Sequence, residues 1–123
     1  MTRNSFINNL WRWKCGMQEI EPVTKKYSIK ELRKTEWDPE FEQLMRNRQI
    51  VGAIRYEPKV KGKKADYEHI PSSIERLKKY QETGNQEYLV DVANLCMIEF
   101  MMPSIDKEVF FEAMDDGEHC KKI

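Results

Sequence analysis

The hydrophobic pattern is most continuous over residues 85–102, in a chain that is otherwise rich in charge. Gly84 and Asn85 precede this stretch, and Pro103 follows it. Because Gly closes helices in a left-handed conformation and Asn is a strong N-cap, these residues predict a helix boundary. The apolar positions fall on two faces, so we expect a helix that is packed on more than one side. The first face holds Leu89, Val92, Ala93, Cys96 and Phe100, and the second holds Tyr88, Leu95, Ile98 and Met102.

Two capping boxes and one Asp-Pro pair mark the starts of three more helices. We therefore expect helices over 29–35, 39–55 and 72–84. The last of these turns tightly at Gly84 into 85–102, which makes an αα-hairpin. The start signals are Ser28 with Glu31, Asp38 with Pro39, and Ser72 with Glu75.

Helical spacing also predicts which side chains are buried. On 72–84, Ile74, Leu77 and Tyr80 are expected to face the core. On 39–55, Gly52 costs about 1 kcal/mol relative to Ala, so a close helix approach or the end of the helix would explain it. The side chains expected near the buried side of 39–55 are Phe41, Leu44, Met45 and Val51, with Ile50 and Ile54 beside them. Those expected to face solvent on 72–84 are Arg76, Lys78 and Lys79.

The remaining segments are shorter or more polar. Residues 5–20 suit an amphipathic helix, in which Trp11 and Trp13 are candidate anchors of a partner interface. Trp13 has a second interpretation, in which it is an aromatic residue of the core that is only partly covered. A last short helix is predicted over 106–114. The expected organisation is one domain over 1–123, with 1–35 as an added helical layer or interaction segment, a basic loop over 57–70 and a polar tail over 115–123.

Composition fits this all-α fold class, a small bundle of four to six helices built on the hairpin of 72–84 and 85–102. The chain has 123 residues, of which 40% are apolar and 34% charged, and this is enough for one modest core. Lys and Arg total 21 and so do Asp and Glu, which argues against non-specific nucleic-acid binding. The three cysteines have no CxxC spacing, which argues against zinc and a disulfide framework. No signal peptide or membrane-spanning run is found, so the expected location is the cytoplasm.

Acidic residues on the apolar stretch are the first candidate for chemistry. Asp91 and Glu99 are costly on a largely buried helix unless they are paired, and arginines of 39–55 are the natural partners. One interpretation is an ion pair that fixes the register of the helices, and the other is a ligand or metal site. The candidate residues for either role are Arg48, Arg55, Tyr56, Arg76, Glu87, Asp91, Asn94 and Glu99. We expect no cofactor under the first interpretation.

The lysines concentrated around Gly62 are a second candidate for a functional site. They form either a solvated loop or a contact for an anion, such as phosphate or an acidic partner. The motif of a P-loop is missing, because the first Gly and the Ser/Thr that follows the Lys are absent. The lysines in question are Lys59, Lys61, Lys63 and Lys64.

Several strings of the second half resemble small uncharacterised accessory proteins of tailed bacteriophages. These strings are RNRxxxGAxRY at 46–56, the ETGNxEYLVDxAN signature within 67–100, and DDGEH at 115–119. The resemblance implies expression in the cytoplasm of an infected bacterium. It leads us to expect a non-enzymatic binding protein that acts on a host or anti-phage defence component, either a protein or a small nucleotide signal. Size and resemblance together also predict a homo-oligomer.

A weaker similarity links LVDVANLCMIEF to the all-α nucleotide pyrophosphatases of the MazG type. In those enzymes an ExxD helix holds Mg²⁺ against a triphosphate, together with an ExxE helix. Here Glu87 and Asp91 are four residues apart, not three, and no convincing ExxE helix precedes them. Two carboxylates four apart still share one face and can share a cation. The alternative function is therefore a metal-dependent pyrophosphatase that uses the Glu87/Asp91 helix.

Overall fold

The computed structural model describes residues 26–112 and 120–123. Within these residues the chain forms four α-helices and no strand. They are α1 (Ile29–Thr35), α2 (Pro39–Arg55), α3 (His69–Thr83) and α4 (Glu87–Met101). The predicted all-α fold, with an αα-hairpin formed by α3 and α4, is confirmed. The predicted helix over 5–20, with Trp11 and Trp13, lies outside the described residues.

The described chain divides into two units, and the larger one is Asp38–Val109. It contains α2, α3 and α4. The smaller unit contains α1 and the described residues at the C-terminal end. None of the described helices is long and apolar enough to cross a membrane.

Four of the local signals that start and stop the helices act as predicted. Ser28 Oγ accepts the Glu31 N–H at 3.1 Å, and the Glu31 carboxylate accepts the Ser28 N–H at 3.2 Å. Asp38 Oδ1 accepts the Glu40 N–H at 3.1 Å at the start of α2. Gly84 has a φ of 74°, which is the left-handed conformation that ends α3. Asn85 Oδ1 then accepts an orphan N–H at the start of α4.

The predicted start of α3 is wrong, because the helix begins at His69 and not after Ser72. Pro71 falls in the first turn, where no intrahelical acceptor is available for an N–H, so the proline does no harm there. Ser72 therefore makes no capping box with Glu75. Its hydroxyl instead donates to the Glu68 carbonyl at 3.2 Å.

In the larger unit, α4 is the helix on which the other two pack. The backbone of α3 follows α4 closely, and α2 packs against α4 over a smaller area. The backbones of α2 and α3 do not approach each other in this described unit. Val90 and Met102 are its buried apolar residues, and two polar residues, His69 and Asn94, are as deeply buried.

The predicted inner face of α3 is wrong in part. Ile74 and Leu77 are 50% and 43% exposed, whereas Arg76 turns inward and is half-buried. Tyr80 is half-buried as expected. The physical reason is that α4 presents carboxylates to α3, and these attract the polar side of α3 rather than its apolar side.

Some predicted core residues of α2 and α4 are also in water. Phe100 is 68% exposed and Cys96 is exposed, while Val92 is half-buried, so the first apolar face of α4 is covered only in part. Ile50 and Ile54 are 60% and 79% exposed on α2. Among the described residues, α2 and α3 are the helices that pack against α4.

The predicted helix over 106–114 is wrong for the residues that the structure describes, because 106–112 is irregular. Its apolar residues are exposed rather than packed. A helix this short is marginal in water unless tertiary contacts support it. They are Val109, Phe110 and Phe111, which are 52%, 83% and 56% exposed.

Two glycines of the larger unit should respond to substitution in opposite directions. Gly52 lies in the helical conformation, and a Cβ there would meet only Lys59 Nζ at an ordinary 3.9 Å. We predict that Gly52→Ala raises the free energy of unfolding by about 1 kcal/mol, through helix propensity. Gly84→Ala should lower it by roughly 1 kcal/mol or more, because of the positive φ. Chemical denaturation of both variants measures this, and a destabilised Gly52→Ala would contradict the helical environment described here.

Candidate functional site

Asp91 is the centre of a network of arginines and carboxylates that joins the three helices of the larger unit. Its side chain is only 17% exposed. Arg48 of α2 donates from Nε to Asp91 Oδ1 at 3.1 Å, and its Nη1 lies 2.6 Å from Glu87 Oε1. Arg76 of α3 places Nε 3.6 Å from Asp91 Oδ2. The prediction that arginines of neighbouring helices neutralise Asp91 is confirmed. We call Arg48, Arg76, Glu87 and Asp91 the arginine–carboxylate network.

The network has a chemical consequence for the pair Glu87 and Asp91. A metal ion needs free carboxylate oxygens, but three of the oxygens here already lie near guanidinium groups. An arginine would have to move before a cation could bind to both residues. No group of three or more metal-ligating side chains is found within 26–112 and 120–123.

Two other predicted site residues lie away from the network. Arg55 and Tyr56 are at the C-terminal end of α2, and Tyr56 is 76% exposed. In the described part of the chain, neither bonds to Asp91 or Glu87. The structure therefore does not bring together the full set of residues that the sequence suggested.

Asn94 lies one turn beyond Val90 on α4 and is only 5% exposed. Its Nδ2 donates to the Met45 carbonyl of α2 at 3.1 Å. Its Oδ1 and the Nε2 of Gln49 are both buried without a hydrogen-bond partner among the described atoms. A buried amide that pairs only in part is expensive, so this contact contributes specificity to the α2–α4 packing more than stability. Gln49 was not predicted, although its position four residues after Met45 places both on one side of α2.

Glu99 was expected to pair with an arginine, and this prediction is wrong. Glu99 Oε1 lies 3.0 Å from His69 Nδ1 and accepts the Ser104 hydroxyl at 2.5 Å. Its Oε2 accepts the Ser104 N–H at 2.8 Å. The His69 contact joins the start of α3 to the end of α4, and the Ser104 contacts hold the chain just after α4. Sequence reasoning missed His69 and Ser104, since neither belongs to a helical pattern that contains Glu99.

The surroundings of Glu99 change its acidity. Burial raises the pKa of the Glu99 carboxyl, but the hydrogen bonds from Ser104 and from His69 lower it by more. The net effect is a pKa below the ordinary glutamate value. The ionised form of Glu99 therefore stabilises the folded state.

The lysine-rich loop is held against the C-terminal end of α4. The Gly62 N–H donates to the Met101 carbonyl at 2.9 Å, and Gly62 has a φ of 87°. Lys61 Nζ lies 5.9 Å from the centre of the Phe100 ring, which is a cation–π distance. The loop thus has defined contacts rather than only solvated ones. Binding of an anion by Lys59, Lys61, Lys63 and Lys64 stays a prediction.

A cleft of about 560 Å³ lies between α2 and the N-terminal half of α4. We call it the α2/α4 cleft. We call its apolar lining residues the floor and its polar lining residues the rim; three residues of the rim are acidic, and one is Arg48 of the network. The apolar lining residues are Phe41, Leu44, Val51, Leu89 and Val90. The polar ones are Asp38, Glu40, Asn47, Arg48, Gln86 and Glu87.

The cleft was not predicted from the sequence, because it depends on the separation of two helices. Leu44 and Val51 are 46% and 39% exposed, so the floor is accessible from solvent. The rim carries Asp38, Glu40 and Glu87 against a single Arg48, which is itself paired with Glu87. The cleft therefore favours an apolar group that lies beside a positive charge.

Comparison of this chain with protein-family models, curated proteins and solved structures found no match.

The arginine–carboxylate network predicts the effect of Asp91→Asn. The substitution keeps the shape of the side chain but removes the charge that both arginines contact. We expect the free energy of unfolding to fall by about 1–2 kcal/mol, a discounted value because the arginines are partly exposed. As a matched control, Lys79→Gln removes the exposed Lys79–Glu75 pair at 3.5 Å and should cost less than about 0.5 kcal/mol. Equal effects in chemical denaturation would contradict a special role for Asp91.

The lowered pKa of Glu99 predicts a dependence of stability on pH. The folded-state pKa lies below the unfolded one, so the ionised carboxylate adds stability above the ordinary glutamate pKa. That stability is lost as the pH falls through the folded pKa. We expect the difference in free energy of unfolding between the wild type and Glu99→Gln to be largest near neutral pH and to shrink in acid. Glu82→Gln, at an exposed position near the end of α3, is the control. A difference that stayed constant with pH would contradict the hydrogen-bonded carboxylate.

Proposed function

We propose that this chain is a non-enzymatic binding protein of a tailed bacteriophage, which acts on a host or anti-phage defence protein in the bacterial cytoplasm. Its binding site is the α2/α4 cleft, and the bound element is a segment that presents an apolar side chain next to Lys or Arg. The single observation that carries this proposal is the combination of an accessible apolar floor with an acidic rim. The viral origin and the location rest on the sequence resemblance.

The shape of the cleft supports a segment of a protein. Its volume of about 560 Å³ lies in the range of ligand pockets, and one or a few side chains would fill it. The accessible Leu44 and Val51 lose water on binding, which supplies a driving force. The flanking amides Asn47 and Gln86 can hydrogen-bond to a peptide backbone.

The charge of the cleft favours a protein segment over a small nucleotide signal as the ligand. A nucleotide brings several negative charges, and these would lie close to Asp38, Glu40 and Glu87. Like charges brought together at a binding site cost several kcal/mol. A Lys or Arg side chain has the opposite charge and can approach two carboxylates at once. The protein partner is therefore the better fit to this cleft.

The pyrophosphatase-like alternative has less support from the contacts. It requires Mg²⁺ on Glu87 and Asp91, whereas Arg48 contacts both carboxylates and Arg76 contacts one of them. Asp38 and Glu40 at the start of α2 line the same cleft as Glu87, but among the described residues no three metal-ligating side chains converge on one point. We therefore propose the binding function alone.

The test is selection of short peptides from a random displayed library on the purified chain. We expect enriched peptides that carry a large apolar residue beside Lys or Arg. Glu40→Lys in the cleft should weaken their binding by about tenfold or more, since it reverses a charge at the rim. Glu57→Lys is the matched control, because Glu57 is exposed and outside the cleft lining.

Titration of the same protein with nucleoside triphosphates and cyclic dinucleotides completes the test. We expect no binding at the concentrations at which the selected peptides bind. Enrichment of acidic peptides, equal effects of the two substitutions, or nucleotide binding that Glu40→Lys strengthens would each contradict the proposed site.

A further inference from the structure

The lysine-rich loop carries positive charge that the larger unit does not neutralise. Residues 58–65 contain Lys59, Lys61, Lys63 and Lys64 and no acidic residue. Among the residues that the structure describes, none of these lysines forms an ion pair. Three arginines of the same unit, by contrast, each contact a carboxylate. The charge of this loop is therefore free to attract a negatively charged molecule.

A tight turn fixes the middle of the loop against the C-terminal end of α4. The Val60 carbonyl accepts the Lys63 N–H at 3.1 Å, and Gly62 takes the positive φ that the third position of a type II turn requires. The Gly62 N–H donates in turn to the Met101 carbonyl at 2.9 Å. The backbone of Lys61 and Lys63, which flank Gly62, is thereby held at a defined place beside α4.

Three of the four lysines lie at the surface, and one of these lies beside an exposed aromatic ring. Lys61 Nζ is 5.9 Å from the centre of the Phe100 ring, and Phe100 is 68% exposed. Lys59 differs, because it is half-buried and its Nζ lies beside Gly52 of α2. We call the exposed group the lysine–phenylalanine surface, and its members are Lys61, Lys63, Lys64 and Phe100.

We propose that the lysine–phenylalanine surface binds single-stranded nucleic acid, with the lysines at the phosphates and one base stacked on Phe100. Surfaces that bind single strands combine cations along the backbone with exposed aromatic rings for the bases. This goes beyond the proposed function, which concerns a protein segment in the α2/α4 cleft. None of the four residues lines the cleft, and Phe100 lies about 15 Å further along α4 than Val90.

The exposed ring favours a single strand over other polyanions. An acidic peptide could pair with the lysines, but it would leave the Phe100 ring in water. In a duplex the bases are already paired and stacked on one another, so their faces are closed to a side chain. Every base of a single strand has a free face, and stacking on it removes the ring from water. A single strand is therefore the ligand that uses both the charge and the ring.

The zero net charge of the chain does not oppose this binding. At about 0.1 M salt, charges further than about 10 Å apart are largely screened from one another. A strand at the loop is therefore attracted mainly by the lysines beside it. The attraction grows with the number of phosphates that meet a lysine, so a strand binds more tightly than a single nucleotide.

Fluorescence anisotropy of labelled oligothymidine and oligouridine, titrated with the full chain at low salt, tests the proposal. Binding of either strand supports it, and the difference between them shows whether DNA or RNA is preferred. The logarithm of the affinity should fall against the logarithm of the salt concentration with a slope of about −2, from about −0.7 for each of three lysines. A duplex should bind more weakly than the single strand, although its charge density is higher.

A pair of double variants tests the role of the loop. Lys63→Gln with Lys64→Gln should lower the affinity by about tenfold and reduce the salt dependence. Lys78→Gln with Lys79→Gln changes the net charge equally at exposed positions on the C-terminal half of α3, and it should bind as the wild type. Absence of binding at low salt, or an equal loss in the two double variants, would overturn the proposal.

A second pair of variants tests the stacking on Phe100. Phe100→Leu keeps an apolar side chain but removes the ring, and it should lower the affinity by about tenfold. Phe100→Tyr keeps the ring and should bind as the wild type. Far-UV circular dichroism checks that each variant is folded. An unchanged affinity in Phe100→Leu would overturn the proposal. So would displacement of the strand by an equal concentration of polyglutamate, which would indicate an acidic protein segment as the ligand.

The outcome is independent of the proposed function. The double variant of Lys63 and Lys64 leaves the cleft intact and should bind the selected peptides as the wild type does. Glu40→Lys, which alters the cleft rim, should change the affinity for the strand by less than about threefold, because screening limits its reach. A larger gain in Glu40→Lys would place the strand at the cleft and overturn the assignment to the loop.

Discussion

The negative charge of Asp91 determines how the larger unit is assembled. A carboxylate in the middle of an apolar helix loses most of its hydration, and it is tolerated only when cations replace the lost water. Here α2 supplies Arg48 and α3 supplies Arg76. Each helix must lie in the register that brings its arginine to α4. One half-buried charge thus fixes the positions of two neighbouring helices. At the other end of the α3–α4 pair, the contact between Glu99 and His69 does the same.

This polar packing between the helices leaves apolar side chains exposed to solvent. Because α3 uses its polar side to satisfy the carboxylates, Ile70, Ile74 and Leu77 remain outside. Arg48 and Asn94 make polar contacts between α2 and α4, and a cleft with apolar lining residues lies beside them. Only Val90 and Met102 are buried apolar residues in the described part of the larger unit. A small buried core beside exposed apolar patches is typical of proteins that bind other molecules through those patches.

The sequence predicted what depends on neighbouring residues along the chain. Asp38, Gly84 and Asn85 stop or start helices through their own backbone preferences, and the structure has them in those roles. The pairing of Asp91 with an arginine was also predictable, since a charge on an apolar helix requires an opposite one. Periodicity states which residues share a face, but it does not state which face is turned inward. For that reason Ile74 and Leu77 were wrongly placed in the core.

Other features depended on distances between helices that no local pattern contains. The α2/α4 cleft is lined by residues of two helices that are far apart in the sequence. The contact of Glu99 with His69 arises because the hairpin brings the start of α3 beside the end of α4. No spacing rule links residues that are 30 positions apart in the chain.

A double-mutant cycle between Arg48 and Asp91 tests most directly whether the charge of Asp91 organises the helices. The free energies of unfolding of Arg48→Met, Asp91→Asn and the double variant are compared with that of the wild type. If Arg48 and Asp91 form a direct ion pair, we expect a coupling energy of about 1 kcal/mol or more, which is within the range for residues in contact. A coupling energy near zero, with the two single effects simply additive, would contradict the account.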